Sequence, residues 1–290
     1  MTDEIWTPLR LLNWTKDFFT SKGIDAPRLE AEVLLASILG WQRIDLYARY
    51  DQAVPADRLA AFREAVRRRA SREPAQYILG RTDFCGIAFK CDRRALIPRP
   101  ETEMIIEAAV ALAEKTPEVL LVDVGTGSGC LAVTAALKIP QARVVACDVS
   151  ADALSLAHEN AERHQVLDRI DFRCGDFETT LVDFAGRVDV ALANPPYVSE
   201  AEFAKLAPEL REHEPRVALV AGPEGTEVVT RLTDFAPVLL KPGGHLVMEL
   251  GAGQAPRVKK MLAERPALEL VRFERDFQRI ERLAVVRRKG

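Results

Sequence analysis

The residues of this 290-residue chain best equipped for chemistry form a short run, Asn194-Pro195-Pro196-Tyr197, directly after the apolar stretch Val188-Asp189-Val190-Ala191-Leu192-Ala193. A residue before proline is held extended, and neither proline can donate a backbone N–H, so the turn presents fixed carbonyl acceptors with no donor competing for them. Asn194 can accept through its side-chain oxygen and Pro195 through its backbone oxygen, while Pro196 stiffens the turn and Tyr197 offers a flat face for stacking. Such a turn suits a planar substrate that carries an –NH2 group. A bare proline turn closing a strand is the weaker reading, because two further motifs upstream point to a bound cofactor.

The first is Asp123-Val124-Gly125-Thr126-Gly127-Ser128-Gly129, which follows the continuous apolar run Val119-Leu120-Leu121-Val122 and precedes a helical pattern over 131–137. An open α/β sheet places its ligand crevice at such a junction. Glycines there allow a tight turn and close approach of a ligand, and the helix start offers unsatisfied N–H donors. A dinucleotide fingerprint beginning at Gly125 would need glycine at 130, where Cys130 stands, so a nicotinamide-dependent oxidoreductase is disfavoured. The second motif is Asp148, at the end of the next apolar run, where its carboxylate suits the paired hydroxyls of a ribose. With Ser150 it can also cap the helix from Ala151, and the two roles are compatible. Asp176-Phe177 follows a third run and could clasp an adenine between a carboxylate and a ring.

The elements that must carry these residues follow from periodicity. Apolar residues recur at helical spacing from Pro8 to about Arg72, with turns at 21–23 and 54–57, which predicts a small helical bundle. Its last helix carries Arg63, Arg67, Arg68, Arg69 and Arg72, read as a solvated face in preference to a contact surface for an acidic partner. Tyr77-Ile78-Leu79-Gly80, the stretch 84–90 and Ala95-Leu96-Ile97 read as short strands, making a hairpin between two domains. Pro98-Arg99-Pro100 forms a rigid loop, and Glu101-Thr102-Glu103 opens a helix. From Glu118 the chain alternates strands and helices: continuous apolar runs at 119–122 and 143–147, then further strands at 170–173, 188–193 and 245–250. Strands buried on both faces read this way, so the fold class is α/β, a doubly wound and mainly parallel sheet. The runs at 268–273 and 282–286 have no helix between them, which predicts one antiparallel strand near the edge. The division is thus 1–74 helical, 75–98 hairpin, 99–290 sheet domain.

Composition excludes several classes. Lys+Arg 40 against Asp+Glu 43 gives a formal net charge of −3, without the basic excess of a nucleic-acid coat. No apolar run reaches the roughly 18 residues of a membrane span, and the N-terminus lacks a signal layout, so a cytoplasmic protein is expected. Five cysteines without a C-x-x-C pair and four scattered histidines suggest neither a disulfide framework nor a metal site.

Taken together, Gly80-x-x-x-Phe84-x-Gly86-x-x-Phe89, Leu96-Ile97-Pro98-Arg99-Pro100-Glu101-Thr102-Glu103, the loop from Asp123 to Cys130, Asn194-Pro195-Pro196-Tyr197 and Glu214-Pro215-x-x-Ala218-Leu219 resemble the release-factor glutamine methyltransferases, often called PrmC or HemK. The resemblance runs almost end to end. It implies a seven-stranded methyltransferase sheet, S-adenosylmethionine as cofactor with S-adenosylhomocysteine as product, and class 1 peptide chain release factors as partners. The reaction implied is methyl transfer to the side-chain amide nitrogen (N5) of the glutamine in their Gly-Gly-Gln loop, with the helical domain docking the substrate protein. Carried onto this chain, the cofactor rests on Gly125, Thr126, Gly127, Ser128 and Gly129, with Asp148 on its ribose, Asp176 and Phe177 at its adenine and Asn194 beside it. Asn194, Pro195, Pro196 and Tyr197 take the substrate. Neither a metal, nor a membrane, nor a direct nucleic-acid substrate is implied. The alternative, an adenine-N6 methyltransferase acting on DNA or RNA, shares the Asn-Pro-Pro-Tyr turn but would need a basic groove, for which the 63–72 helix is the local candidate. A non-catalytic docking module would have no use for that turn. One departure stands out: the family has a glycine after an Asp-x-x near the C-terminus, and the stretch 275–282 here has none.

Overall fold

A computed structural model describes residues 5–114 and 117–290 and divides them into two compact units, 1–80 with 207–213, and 81–206 with 214–290. The helical unit contains α1 (Pro8–Ser21), α2 (Pro27–Leu39), α3 (Asp45–Ala48), α4 (Ala56–Ala70) and α5 (Ala75–Leu79) around a core that includes Leu12, Phe19, Leu34, Leu35 and Phe62. Prolines open α1 and α2, where a missing N–H costs nothing, and Gly40 ends α2 in the left-handed conformation. The arginines of α4 are not a solvated face throughout. Arg69 is 5% exposed and bridges Glu30 and Glu209, while Arg68 pairs with Glu73 and Arg67 with Glu64. Arg72, just beyond the helix, joins Glu209 as well. These charges are committed within the unit, which removes most of the candidate basic groove.

Residues 77–79 are helical, in α5, and not a strand. Pro74 starts this single turn and Gly80, at φ +68, stops it; five apolar-rich residues carry too little periodicity to separate helix from strand. The hairpin is β1 (Arg81–Phe84) with β2 (Ile87–Lys90), so 84–90 is not one strand but a turn and a strand. Cys85 and Gly86 both take positive φ, as the two-residue turn that matches strand twist requires. Residues 95–97 form no strand but lead into the proline loop.

The second unit is built on a seven-stranded sheet. Its strands are β3 (Val119–Val124), β4 (Ala142–Asp148), β5 (Ile170–Cys174), β6 (Val188–Ala193), β9 (Leu240–Glu249), β10 (Leu268–Arg275) and β11 (Glu281–Arg288). A separate short pair, β7 (Val198–Ser199) and β8 (Val220–Gly222), lies between β6 and β9 in the chain. The order across the sheet is β10-β11-β9-β6-β3-β4-β5, parallel except for β11, which runs antiparallel between β9 and β10. The expected antiparallel strand is therefore present next to the edge. Successive strand residues point to opposite faces: Leu121, Val144 and Val190 join one core with α6 (Glu103–Ala113) and α7 (Cys130–Lys138), whereas Val122, Val145 and Ala191 join another. Both faces are thus covered, which is why the strands read as unbroken apolar runs.

The remaining helices are α8 (Ala151–Arg163), α9 (Phe177–Thr180), α10 (Glu200–Phe203), α11 (Pro208–His213, in the helical unit), α12 (Arg216–Leu219), α13 (Glu227–Leu239) and α14 (Ala255–Ala263). Between β10 and β11, Arg279 sits at φ +64, at the position after Asp276-x-x where the resemblance implies glycine. Asp276 sustains that turn by accepting the Gln278 and Ile280 N–H groups and the Arg282 side chain. The turn therefore keeps a glycine-like shape without the glycine. Gly129, the N-cap of α7 at φ +78, could not be replaced so cheaply, because a Cβ there would lie 2.9 Å from the Ala157 Cβ on α8. Gly129→Ala is expected to lower the unfolding free energy by about 2 kcal/mol or more through strain and overpacking. Urea denaturation measures this; an unchanged midpoint contradicts it.

Candidate active site

Strand register alone gathers the predicted residues. Val124 of β3 pairs with Cys147 of β4 and with Ala193 of β6, so the residues that follow, Gly125, Asp148 and Asn194, emerge side by side at one edge of the sheet. Strand order reverses direction about β3, and such a switch point opens a crevice. A cavity of about 310 Å³ lies there. Its lining includes Gly125, Thr126, Gly127 and Ser128 from the glycine loop, and Asp148, Asp176 and Phe177 from the next two strand ends. Asn194, Pro195 and Pro196 close the far wall. Two predicted residues stand outside the lining. Gly129 serves the packing of α7 on α8, and Tyr197 is half-buried beside Gly251, its backbone oxygen accepting from the Gln254 side chain at 3.1 Å.

Carboxylates hold the loops in shape. Asp123, fully buried, accepts the Thr126 hydroxyl at 2.6 Å and the Ala132 N–H at 3.1 Å. Its other oxygen, Oδ1, has no hydrogen-bond partner among the described residues. Burial pushes this carboxyl up to about 7, against the lowering effect of its two hydrogen bonds, and the nearby Asp148 adds to the rise. Asp148 accepts the Gly127 N–H on one oxygen and the Ser150 N–H on the other, both at 2.9 Å. Ser150 itself caps α8 through Ala153. The capping and binding readings of Asp148 are therefore compatible, since each oxygen keeps a second lone pair.

Asp176 caps α9 and meets the Arg231 guanidinium at 2.7 Å from both of its oxygens. Burial works to raise its pKa, but Arg231 and the Glu178 N–H prevail and hold it below the usual carboxylate range. Arg231 also lies over the Phe177 ring, 4.8 Å from its centroid. This arginine sits on α13, more than fifty residues away in sequence, and nothing in its local pattern marks it. Glu214, of the Glu214-Pro215-x-x-Ala218-Leu219 motif, fastens two segments: it accepts the Ile97 N–H at 3.1 Å and the Arg99 side chain. In the same way Glu103 receives the Cys85 N–H, and Asn160 ties the Lys90 backbone to the Ser128 carbonyl. The motifs around 84–90, 96–103 and 214 thus brace one another.

Asn194 donates its side-chain Nδ2 to the Thr102 hydroxyl at 3.0 Å, and Thr102 donates to Glu249 at 2.6 Å. Neither Thr102 nor Glu249 was singled out as a site residue from the sequence. The sequence holds no cue that they meet, because their partners lie 92 and 147 residues away. The cavity as a whole combines carboxylate and carbonyl acceptors with the aliphatic walls of Leu131, Val149 and Val217, an acceptor and surface set that fits a cationic nucleoside.

The sheet order and the motif at each strand end define a methyltransferase of the class I fold. Residues 10–80 match the family described as PrmC N-terminal domain, and residues 103–217 match the methyltransferase small domain. The chain is 43% identical over 289 residues to the release factor glutamine methyltransferase of Chlorobaculum tepidum, covering 97% of each. It is 44% identical over 262 residues to that of Geobacter sulfurreducens, covering 90% of this chain and 89% of the other. Among solved structures, the hMettl16 catalytic domain in complex with MAT2A 3'UTR hairpin 6 shares the fold, with a TM-score of 0.58 at 21% identity, covering 76% of this chain and 81% of that one. The chain belongs to the release factor glutamine methyltransferase family. Among the described residues no helix is long and apolar enough to cross a membrane.

The raised Asp123 carboxyl has a definite sign in stability. Its folded pKa, about 7, exceeds the unfolded value, so its contribution is full at pH 4 and below and is lost as pH rises toward 7. The stability of the wild type relative to Asp123→Asn is expected to fall across that window, by about 4 kcal/mol at most. Chemical denaturation of both proteins at several pH values measures the difference; parallel curves contradict it.

Proposed function

We propose that the protein transfers a methyl group from S-adenosylmethionine to the side-chain amide nitrogen of the glutamine in the Gly-Gly-Gln loop of class 1 peptide chain release factors. The observation that carries this reading is the Asn194-Pro195 turn at the cavity wall, with the Asn194 Nδ2 already bound to Thr102 and the side-chain oxygen left to accept. The relatives' names supply the substrate. When bound, S-adenosylmethionine supplies a methyl carbon made electrophilic by a positively charged sulfur. The loop of Gly125, Thr126, Gly127 and Ser128 cradles it, with Gly129 shaping the helix start behind. Asp148 accepts from the ribose hydroxyls, and Asp176 and Phe177 bind the adenine.

An amide nitrogen is a poor nucleophile because its lone pair is delocalised into the carbonyl. Asn194 Oδ1 and Pro195 O accept its two N–H bonds, turning the nitrogen toward the methyl carbon, and the same oxygens stabilise the positive charge that grows there. Tyr197 stacks on the flat amide and Pro196 keeps the turn rigid. One of the two protons leaves to water after transfer. Positioning and electrostatics therefore do the work, and no side chain needs to act as a strong base. The helical unit docks the substrate protein, a role supported by the exposed aromatic faces of Trp14 and Tyr50. Five unpaired cysteines support a cytoplasmic setting.

The test is transfer of labelled methyl from S-adenosylmethionine to a purified release factor, beside a factor whose loop glutamine is replaced and beside duplex DNA. Label on the intact factor alone is expected; label on the replaced factor or on DNA overturns the reading. Asn194→Ala is expected to lower kcat by about a hundredfold or more, with the cofactor Kd within about threefold of wild type. An equal loss in Kd and kcat contradicts its role. Asp148→Ala is expected to weaken cofactor binding about tenfold or more, because a charged acceptor is lost. Calorimetric titration measures it, and an unchanged Kd removes Asp148 from the ribose.

A further inference from the structure

A side-chain amide has two ends of nearly the same size, one accepting and one donating. Half a turn about its last bond exchanges them at little steric cost. For Asn194 that exchange would set an NH2 group against the N–H bonds of the substrate amide. The local hydrogen bonds decide which end faces where. Thr102 has a single hydroxyl hydrogen, and Glu249 takes it at 2.6 Å; an ionised carboxylate cannot give one back. Toward Asn194, therefore, the Thr102 oxygen can only accept, and the Nδ2 end of the amide answers it at 3.0 Å. Thr102 is 1% and Glu249 3% exposed, so bulk water is in no position to replace either partner. The chain draws on the end of β9, the end of β6 and the turn Pro100–Thr102, three segments that meet only through the fold.

We propose that Thr102 and Glu249 form a positioning pair that locks the Asn194 amide with its oxygen toward the substrate nitrogen. The inference rests on the function proposed above. Glu249 is not one of the residues that line the cavity, and it acts through Thr102, which is. It gives the threonine of the Pro-Arg-Pro-Glu-Thr-Glu stretch a use in the chemistry, beside the fastening done there by Arg99 and Glu103. A protonated Glu249 would itself donate to Thr102, free the threonine hydrogen for Asn194 and permit the wrong amide orientation. Burial raises the Glu249 carboxyl to about 7, with Thr102, Arg282 and Arg99 lowering it and Glu101 raising it; Tyr197 is the other titratable group facing it. The rate of transfer thus falls on the acid side through loss of the lock.

Kinetics of four proteins and one spectroscopic measurement test the pair. Thr102→Val, of the same shape without the hydroxyl, is expected to lower kcat about tenfold to a hundredfold through mispositioning, with KM and cofactor Kd within about threefold. Thr102→Ser restores kcat to within about threefold of wild type, since the hydroxyl returns. Glu249→Gln, whose amide can turn its NH2 group to Thr102 and so no longer fixes the direction of the threonine hydrogen, slows transfer at neutral pH and flattens the acid limb of the kcat profile. It carries the kinetic test if Thr102→Val fails to fold. A Thr102→Val protein with wild-type kcat, a serine variant as slow as the valine one, or an acid limb unchanged in Glu249→Gln overturns the proposal. The spectroscopic arm needs no substrate: in 15N-correlated NMR, one Asn194 side-chain N–H proton resonates downfield in the wild type and moves upfield in Thr102→Val. An unmoved signal also overturns the pair. A wild type that methylates no release factor overturns the proposed function instead, while the NMR result still judges the lock.

Discussion

Backbone N–H groups in loops, tight turns and the first turns of helices have no ladder or helical partner, and where they are buried they cannot be left unsatisfied. In this protein carboxylates meet that constraint. Asp123 receives Ala132, Asp148 receives Gly127 and Ser150, Glu214 receives Ile97 and Glu103 receives Cys85. A carboxylate accepts from two directions at once and donates nothing, so one side chain can fix a loop that has no regular structure. Burial of such groups has a cost, visible in the rise of Asp123 and Glu249 to about 7. On the proposed reading, the return is rigidity in loops that hold a reactive methyl donor and a weak nucleophile in line.

Much of this was legible in the sequence. Glycine loop, acidic strand end and Asn-Pro-Pro-Tyr turn each follow an unbroken apolar run, and parallel register then brings them to one edge. The helical pattern over 8–72 was equally plain, because its helices are long enough to show their period. Short pieces were not. Residues 77–79 carry as much strand character as helix character, and the capping by Pro74 and Gly80 decides for helix. Residues 95–97 look like a strand, yet Pro98 and Pro100 and the fastening by Glu214 make them a loop.

Partners chosen by the fold were out of reach. Arg231 reaches Asp176 from α13, Thr102 and Glu249 reach Asn194 from distant segments, and Arg69 reaches Glu209 across 140 residues. None of these pairs has a spacing that local pattern can reveal. Composition misled in part: of an arginine-rich helix read as solvated, Arg63 and Arg67 are exposed, but Arg68 and Arg69 are spent on ion pairs within the unit. The missing glycine near the C-terminus was a smaller difference than it looked. Arg279 adopts the left-handed conformation that glycine would take, and Asp276 holds it there.

On the proposed reading, catalysis depends on two oxygens with no donor between them, Asn194 Oδ1 and Pro195 O, meeting the two N–H bonds of an amide. A crystal structure of the protein with S-adenosylhomocysteine and a release factor tests this most directly. The account predicts both oxygens within about 3.2 Å of the glutamine side-chain nitrogen, with that nitrogen facing the cofactor sulfur. A glutamine whose carbonyl oxygen, and not its nitrogen, faces Asn194, or whose nitrogen is held by other groups, would contradict it.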